Sequence, residues 1–397
     1  MDKISSCGFL VFASAFGFGW FGITGSALGV GMGILSAGVG VLTLVEKDEV
    51  RDIIEGCGIQ TKNGHMPTYT KKDIDTGYSL TFKMPAGICS EDFIKHERRF
   101  SENLDGKIEF AYIGQSKLLL NVHTEKLEKM YNYELIESEG LNFAIGETRQ
   151  GTAWLSFDDS TPHCLVGGTT GSGKSVCLRT IITTAILSKD AALHLCDLKA
   201  GAEFSVFRRS SKVSTYATNA EECFNLMHEL KEEMMKRLDL FRQKEVENLE
   251  QYNRKTHDKL RSHLVVIDEF ANLRRSKQTL ELVDELLRMA RAVGIHIIIA
   301  TQRPSRENLP GTLKCNIQSI IAFKVKDAIN SRILLENDKA ALLRGKGHGI
   351  LQTENDTEFQ GYFISTEDTK ELIKHTYKSK NEKENKPKGW IEIDPKE

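Results

Sequence analysis

The run Gly168-Thr169-Thr170-Gly171-Ser172-Gly173-Lys174-Ser175 fits the spacing G-x-x-x-x-G-K-[ST] without a gap. Each position has a task in holding a nucleoside triphosphate. Glycines let backbone N–H groups curl around a phosphate, Lys174 reaches the terminal phosphates, and Ser175 offers a hydroxyl to Mg²⁺. A helix starting at this point adds its positive dipole end. About 95 residues on, His263-Leu264-Val265-Val266-Ile267 is an apolar run that ends in Asp268-Glu269. A hydrolase needs such a pair. Asp268 is expected to hold Mg²⁺ together with Ser175, and Glu269 to orient and deprotonate the attacking water. The alternative reading, a buried strand ending in a solvated acidic pair, loses ground once the upstream loop is granted.

These residues need a scaffold that brings separate strand ends together. Cys164-Leu165-Val166 reads as a short buried strand before the loop, and Val176 to Leu187 as the helix after it. From Asn142 onward strand and helix alternate: Ala192 to Asp197, Val213 to Tyr216, Leu264 to Asp268, Ile295 to Thr301 and Ile317 to Val325. That order predicts an α/β fold with a mainly parallel sheet covered by helices. A long amphipathic helix is expected between Thr218 and Glu245, opened by a capping box of Thr218 and Glu221. Cys223, Leu226, Met227, Leu230, Met234, Leu238 and Phe241 form its core stripe.

Upstream, residues 49–142 read as a small α/β module. Gly77 to Met84, Lys107 to Tyr112 and Leu118 to Val122 supply strands, and a helix carries Phe93, Phe100 and Leu104. Its charged residues read as a solvated face. Ile4 to Val45 is a 42-residue stretch without a charge. Roughly 20 residues cross a bilayer once, so residues 1–48 are expected to form a transmembrane hairpin with helices at about 5–21 and 27–45. Trp20 and Phe21 would mark the outer interface, and Gly25, Gly29 and Gly33 a smooth packing face. Residues 367–397 read as a charged, largely disordered tail, with almost nothing to bury from Lys378 to Lys388.

The formal net charge of −2 gives no global basic signature, so any nucleic-acid surface must be local. Eight cysteines, scattered singly, suggest neither a disulfide framework nor a zinc site. Cys164, Cys177 and Cys196 read as small buried hydrophobes.

The motifs come in a linked order that carries a family resemblance over about 143–366. The run Thr161 to Val176, the strand end Asp197-Leu198-Lys199, Lys236-Arg237 with Val246 to Asn253, Val266 to Ala271, Ala290 to His296, Ala300 to Ser305, Asn330 to Leu335 and Leu342 to Gly347 together resemble the motor domain of the FtsK/SpoIIIE family of DNA translocases. The module before it more weakly resembles that family's adaptor.

The resemblance implies a RecA-like P-loop motor, a hexameric ring with ATP and Mg²⁺ between subunits, and DNA through the centre independent of sequence. It implies that Gln302 senses the γ-phosphate and that an arginine reaches the neighbour's ATP. Arg291 is the first candidate, with Arg288, Arg303 and Arg332 as rivals. Arg208-Arg209 and Lys212 are guesses for DNA contact. No winged-helix segment resembling the readers of chromosomal orientation sequences is seen after the motor. The short anchor further suggests a membrane-anchored coupling protein for conjugative transfer, like the TcpA group of Gram-positive mobile elements. In that reading the ATPase is cytoplasmic at a multi-pass membrane anchor, with relaxase and secretion-channel proteins as partners. A chromosome-segregation motor and a protein-export ATPase of the same superfamily are the alternatives.

Overall fold

The computed structural model describes residues 48–378 apart from 75, 125–126, 159 and 306. The expected transmembrane hairpin therefore lies outside the described residues. No helix among the described residues is long and apolar enough to cross a membrane.

The first module begins with α1 (Glu49–Gly56). It continues through β1 (Thr68–Ile74), β2 (Gly77–Lys83), α2 (Ser90–Ile94), α3 (Glu97–Asn103), β3 (Lys107–Gly114) and β4 (Lys117–His123). The strands form an antiparallel sheet in the order β1-β2-β4-β3. Alternation along β4 turns Leu118, Leu120 and Val122 onto one face, where they meet Phe93, Phe100 and Ile54 in a separate core. The single helix expected around Phe93 to Leu104 is two short ones, and β1 had no signal, because most of its side chains are exposed.

The larger module opens with β5 (Tyr131–Asn132), β6 (Leu141–Thr148), β7 (Gly151–Phe157) and β8 (His163–Gly167), followed by α4 (Lys174–Ser188) and β9 (Ala191–Asp197). Next come β10 (Val213–Ala217), α5 (Ala220–Gln243), α6 (Leu249–Lys255), β11 (Ser262–Asp268), α7 (Lys277–Met289) and β12 (Ile295–Thr301). It closes with α8 (Gly311–Lys314), β13 (Ser319–Phe323), α9 (Ala328–Leu335), α10 (Lys339–Leu342), β14 (His348–Gln352), β15 (Asp356–Phe363) and α11 (Thr366–Ile373).

The sheet order is β10-β9-β11-β12-β8-β13-β14-β15-β6-β7, with β5 added on β15. From β10 to β13 the strands run parallel, and from β13 to β7 they are antiparallel. The parallel strands are apolar on both faces, as covered strands must be. One face packs α5, α7 and α9 through Leu226, Met234, Val283 and Leu334. The other packs α4 and α11 through Leu178, Ile182 and Ile373.

Two local expectations need correction. The cap of α5 is Asn219, whose side chain accepts from Glu221 N and Glu222 N. The Thr218 backbone N donates to the Glu222 carboxylate at 2.6 Å, so the reciprocal acid is one residue later than the capping-box spacing suggested. Of the tail expected from 367, residues 367–378 are ordered, and the rest lies outside the described residues. Ser365 caps α11, Ile373 is fully buried, and the Ser211 backbone N donates to Thr376 O at 2.8 Å, so packing to the sheet outweighs the polar composition.

Candidate functional site

Parallel strands put their carboxyl ends on one edge, and the register is close. Asp268 at the end of β11 pairs with Asp197 at the end of β9, and Thr301 at the end of β12 pairs with Gly167 at the end of β8. Gln302, Glu269 and the glycine loop follow directly from these ends, at the place where open α/β sheets bind ligands.

The loop turns from β8 into α4 with Gly171 at φ 76° and Gly173 at φ 123°, both of which need glycine. It is anchored from outside as well. Thr169 N and Thr169 Oγ1 both donate to Lys324 O, at 3.0 and 2.9 Å, and Gly347 N donates to Ser172 O at 2.8 Å. Gly347 lies so close that a Cβ on Gly173 would stand 2.6 Å from its Cα. No side chain caps α4, which leaves its first N–H groups for an anionic ligand. The loop opens into a cavity of about 690 Å³ that reaches Lys199, Gln302, Met130 and Phe363. That is the size range of small-molecule sites.

Lys174 is buried and donates to Asp268 Oδ1. Lys199 stands on the other side of the same carboxylate, 2.9 Å from Oδ2, with Glu203 at 3.7 Å and Glu269 at 3.9 Å. Burial works against the Lys199 charge, but hydrogen bonding to Asp268 and the surrounding carboxylates outweigh it and raise the ammonium above its ordinary value. Asp197 does not enter this cluster. It accepts from Phe204 N at 2.7 Å and Lys199 N at 3.3 Å, shaping the turn that carries Lys199. Glu269 sits at φ 53°, in left-handed backbone that a glutamate rarely takes, and such outliers gather at working sites. Its Oε1 accepts from the Gln302 backbone N at 3.4 Å, while the Gln302 side chain takes the Thr170 hydroxyl at 2.9 Å.

The residues fit a magnesium nucleotide. Ser175 and Asp268 offer hard oxygens, and among the described residues no cluster of three His, Cys, Asp or Glu could hold an ion alone. A cation here would complete its shell with phosphate oxygens and water, as Mg²⁺ does. Cys164, Cys177 and Cys196 are buried as expected, and burial pushes the Cys177 thiol up to about 12, which keeps it inert beside the loop.

The arginines are scattered. Arg291 is exposed ahead of β12, at the opposite end of the sheet from Gln302 and about 20 Å of strand away. It borders a second cavity of about 960 Å³ with Asn248 and Glu250. Arg288 pairs with Asp284 at 3.2 Å, and Arg332 forms a two-pronged pair with Asp338 at 2.7 and 2.8 Å. Of the four, Arg303 alone follows Gln302 on the nucleotide edge. Arg208 and Arg209 lie over the rings of Tyr216 and Tyr377. Sequence reasoning missed the Lys199 position and the wall of Met130, Tyr362 and Phe363. Asp197-Leu198-Lys199 was visible as a motif, but nothing local marked the wall.

Residues 136–306 match the FtsK/SpoIIIE family. The DNA translocase FtsK of Listeria monocytogenes is 29% identical over 360 residues, 83% of this chain and 47% of the relative. That of Clostridium tetani is 32% identical over 290 residues, 68% of this chain and 39% of the relative. The chain thus spans less than half the length of these curated relatives. The pCW3 conjugation coupling protein TcpA, solved as a monomer with ATPγS, is 25% identical with a TM-score of 0.60, covering 82% of this chain and 98% of that one. The cytoplasmic domain of the Thermomonospora curvata type VII secretion ATPase EccC shares the fold, with a TM-score of 0.55 at 24% identity over 68% of this chain and 34% of that one. With the loop, the acidic pair and Gln302 assembled on one sheet edge, residues 136–306 are a P-loop ATPase domain of the FtsK/SpoIIIE family.

Proposed function

We propose that the protein is an ATP-driven DNA translocase that serves as a coupling protein in conjugative DNA transfer, working as a membrane-anchored, RecA-like ring. The observation that carries this reading is the likeness to TcpA, which covers nearly all of that chain and 82% of this one. In this reading Lys174 and the α4 N-terminus hold the phosphates, Ser175 and Asp268 hold Mg²⁺, and Glu269 takes the proton of the attacking water. Bound Mg²⁺ would neutralise developing phosphate charge. Gln302 reports the γ-phosphate, and an arginine from a neighbouring subunit, Arg303 or Arg291, completes the site. DNA passes by phosphate contacts that accept any sequence. In this reading the uncharged run Ile4 to Val45 would anchor the ring in the membrane, with the ATPase on the cytoplasmic side and relaxase and secretion-channel proteins as its partners.

The test is the ATPase rate of the full chain with and without DNA, with Lys174→Ala as blank. The expected result is strong stimulation by DNA that falls with added salt. Glu269→Gln should bind ATP and not turn it over. A rate indifferent to DNA in assembled rings would move the substrate to protein.

A further inference from the structure

We infer that Met130 and Phe363 form the platform for the nucleobase, so the connector between the two modules is itself part of the nucleotide site. This rests on the reading of the glycine loop as an ATP site and goes further by assigning the base end. Met130 is 56% exposed and Phe363 44%, and both border the cavity that begins at the P-loop. Exposed apolar surface inside a ligand-sized cavity marks where an apolar face is meant to rest. The phosphate end of the cavity is polar and cationic through Lys174 and Lys199. A flat, weakly polar group belongs at the other end, and in a nucleoside triphosphate that group is the base.

The platform is built firmly. β5 pairs with β15 in parallel register, Tyr131 against Tyr362 and Asn132 against Phe363, and Tyr133 N donates to Phe363 O at 2.9 Å. Tyr362, buried beneath, is tied to Glu147 through its hydroxyl. Met130 immediately precedes β5, and only a few residues separate it from His123, the last residue of the small module's β4. A base on this surface would therefore touch the connector as well as the motor.

The experiment compares binding of ATP and of inorganic tripolyphosphate, each with Mg²⁺, to the full-length protein and to Met130→Ala and Phe363→Ser. Loss of a stacking partner is expected to weaken ATP about tenfold in either variant and leave tripolyphosphate unchanged. ATP, and not tripolyphosphate, should also slow hydrogen exchange across residues 127–133. Unchanged ATP affinity in both variants, or equal loss for both ligands, would overturn the assignment. If the unaltered protein bound neither ligand, or Lys174→Ala bound both as well as it does, the ATP-site reading itself would fall and the platform with it.

Discussion

The Thr170 hydroxyl donates to Gln302 Oε1 across 2.9 Å, so the P-loop is joined to the end of β12 by a side-chain hydrogen bond that a γ-phosphate could compete for. The Gln302 backbone N, in turn, donates to Glu269 at 3.4 Å. One residue thus contacts both the phosphate cradle and the candidate base.

Gln302→Ala should accordingly leave ATP binding within about twofold while lowering turnover at least about tenfold, since the side-chain contact it removes matters at hydrolysis rather than binding, and the backbone bond to Glu269 stays. Equilibrium binding and steady-state rates measured on one preparation check this. A variant that lost affinity and kept its turnover would assign Gln302 to binding.

Gly173 meets backbone, not a movable side chain. Its Cβ would stand 2.6 Å from both Gly347 Cα and Gly347 N, and its φ of 123° is unsuited to any other residue. Gly173→Ala should abolish ATP binding. Gly345→Ala, at a comparable φ of 88° but with only Lys324 Cδ near, at 3.6 Å, should cost about 1–2 kcal/mol of stability and keep the site. Calorimetric titration of the two variants separates local collision from general strain.

How far the sequence reaches is clear from such pairs. Gly168 to Ser175, Asp268, Glu269 and Gln302 were legible because each motif occupies a strand end, and a parallel sheet brings strand ends together without further instruction. The Gly173–Gly347 contact was not. It depends on β14 folding back antiparallel beside β13, a long-range pairing with no local signature. Arg237 shows the opposite failure. It stands outside the apolar stripe expected on α5, yet it is fully buried, because the groups that receive it come from residues 261, 263 and 293.

The Arg237 guanidinium donates to Glu233 Oε1 at 2.8 Å and to the carbonyls of Arg261 at 2.9 Å and Val293 at 2.8 Å. Replacing one member of a buried ion pair strands the other's charge in a poor solvent. Arg237→Met should therefore cost about 3–5 kcal/mol, and Glu233→Gln with Arg237→Met should recover part of that. Urea denaturation of the two single variants and the double variant forms the cycle. Full additivity would show that the pair is not coupled.

The same arginine fixes the protonation of two histidines, and from this a pH dependence follows. Arg237 has only protons to give, so His263 Nε2, 2.7 Å away, must accept. His263 Nδ1 then carries the hydrogen and donates to His194 Nε2 at 2.9 Å, and His194 Nδ1 donates to Thr215 Oγ1 at 3.2 Å. Burial first, and the Arg237 charge second, lower His194 to about 3. Burial chiefly, with help from His296, does the same to His163. Each is depressed in the folded chain, so the unfolded chain binds more protons once pH drops below the ordinary value of 6.5. The stability these groups contribute is complete above about pH 6.5 and is lost progressively toward pH 3. Glu358 adds a second, lower window. Burial would raise it, but the hydrogen bond from His348 and the charges of Lys107 and Arg149 outweigh burial, so its contribution is complete above the ordinary 4.5 and lost below it. Melting temperature should thus start to fall near pH 6.5 and steepen below 4.5. His194→Gln should flatten the first decline and Glu358→Gln only the second. If His194→Gln melted along a curve parallel to the unaltered protein's from pH 7 to 5, the neutral state assigned to His194 within the sheet would be wrong.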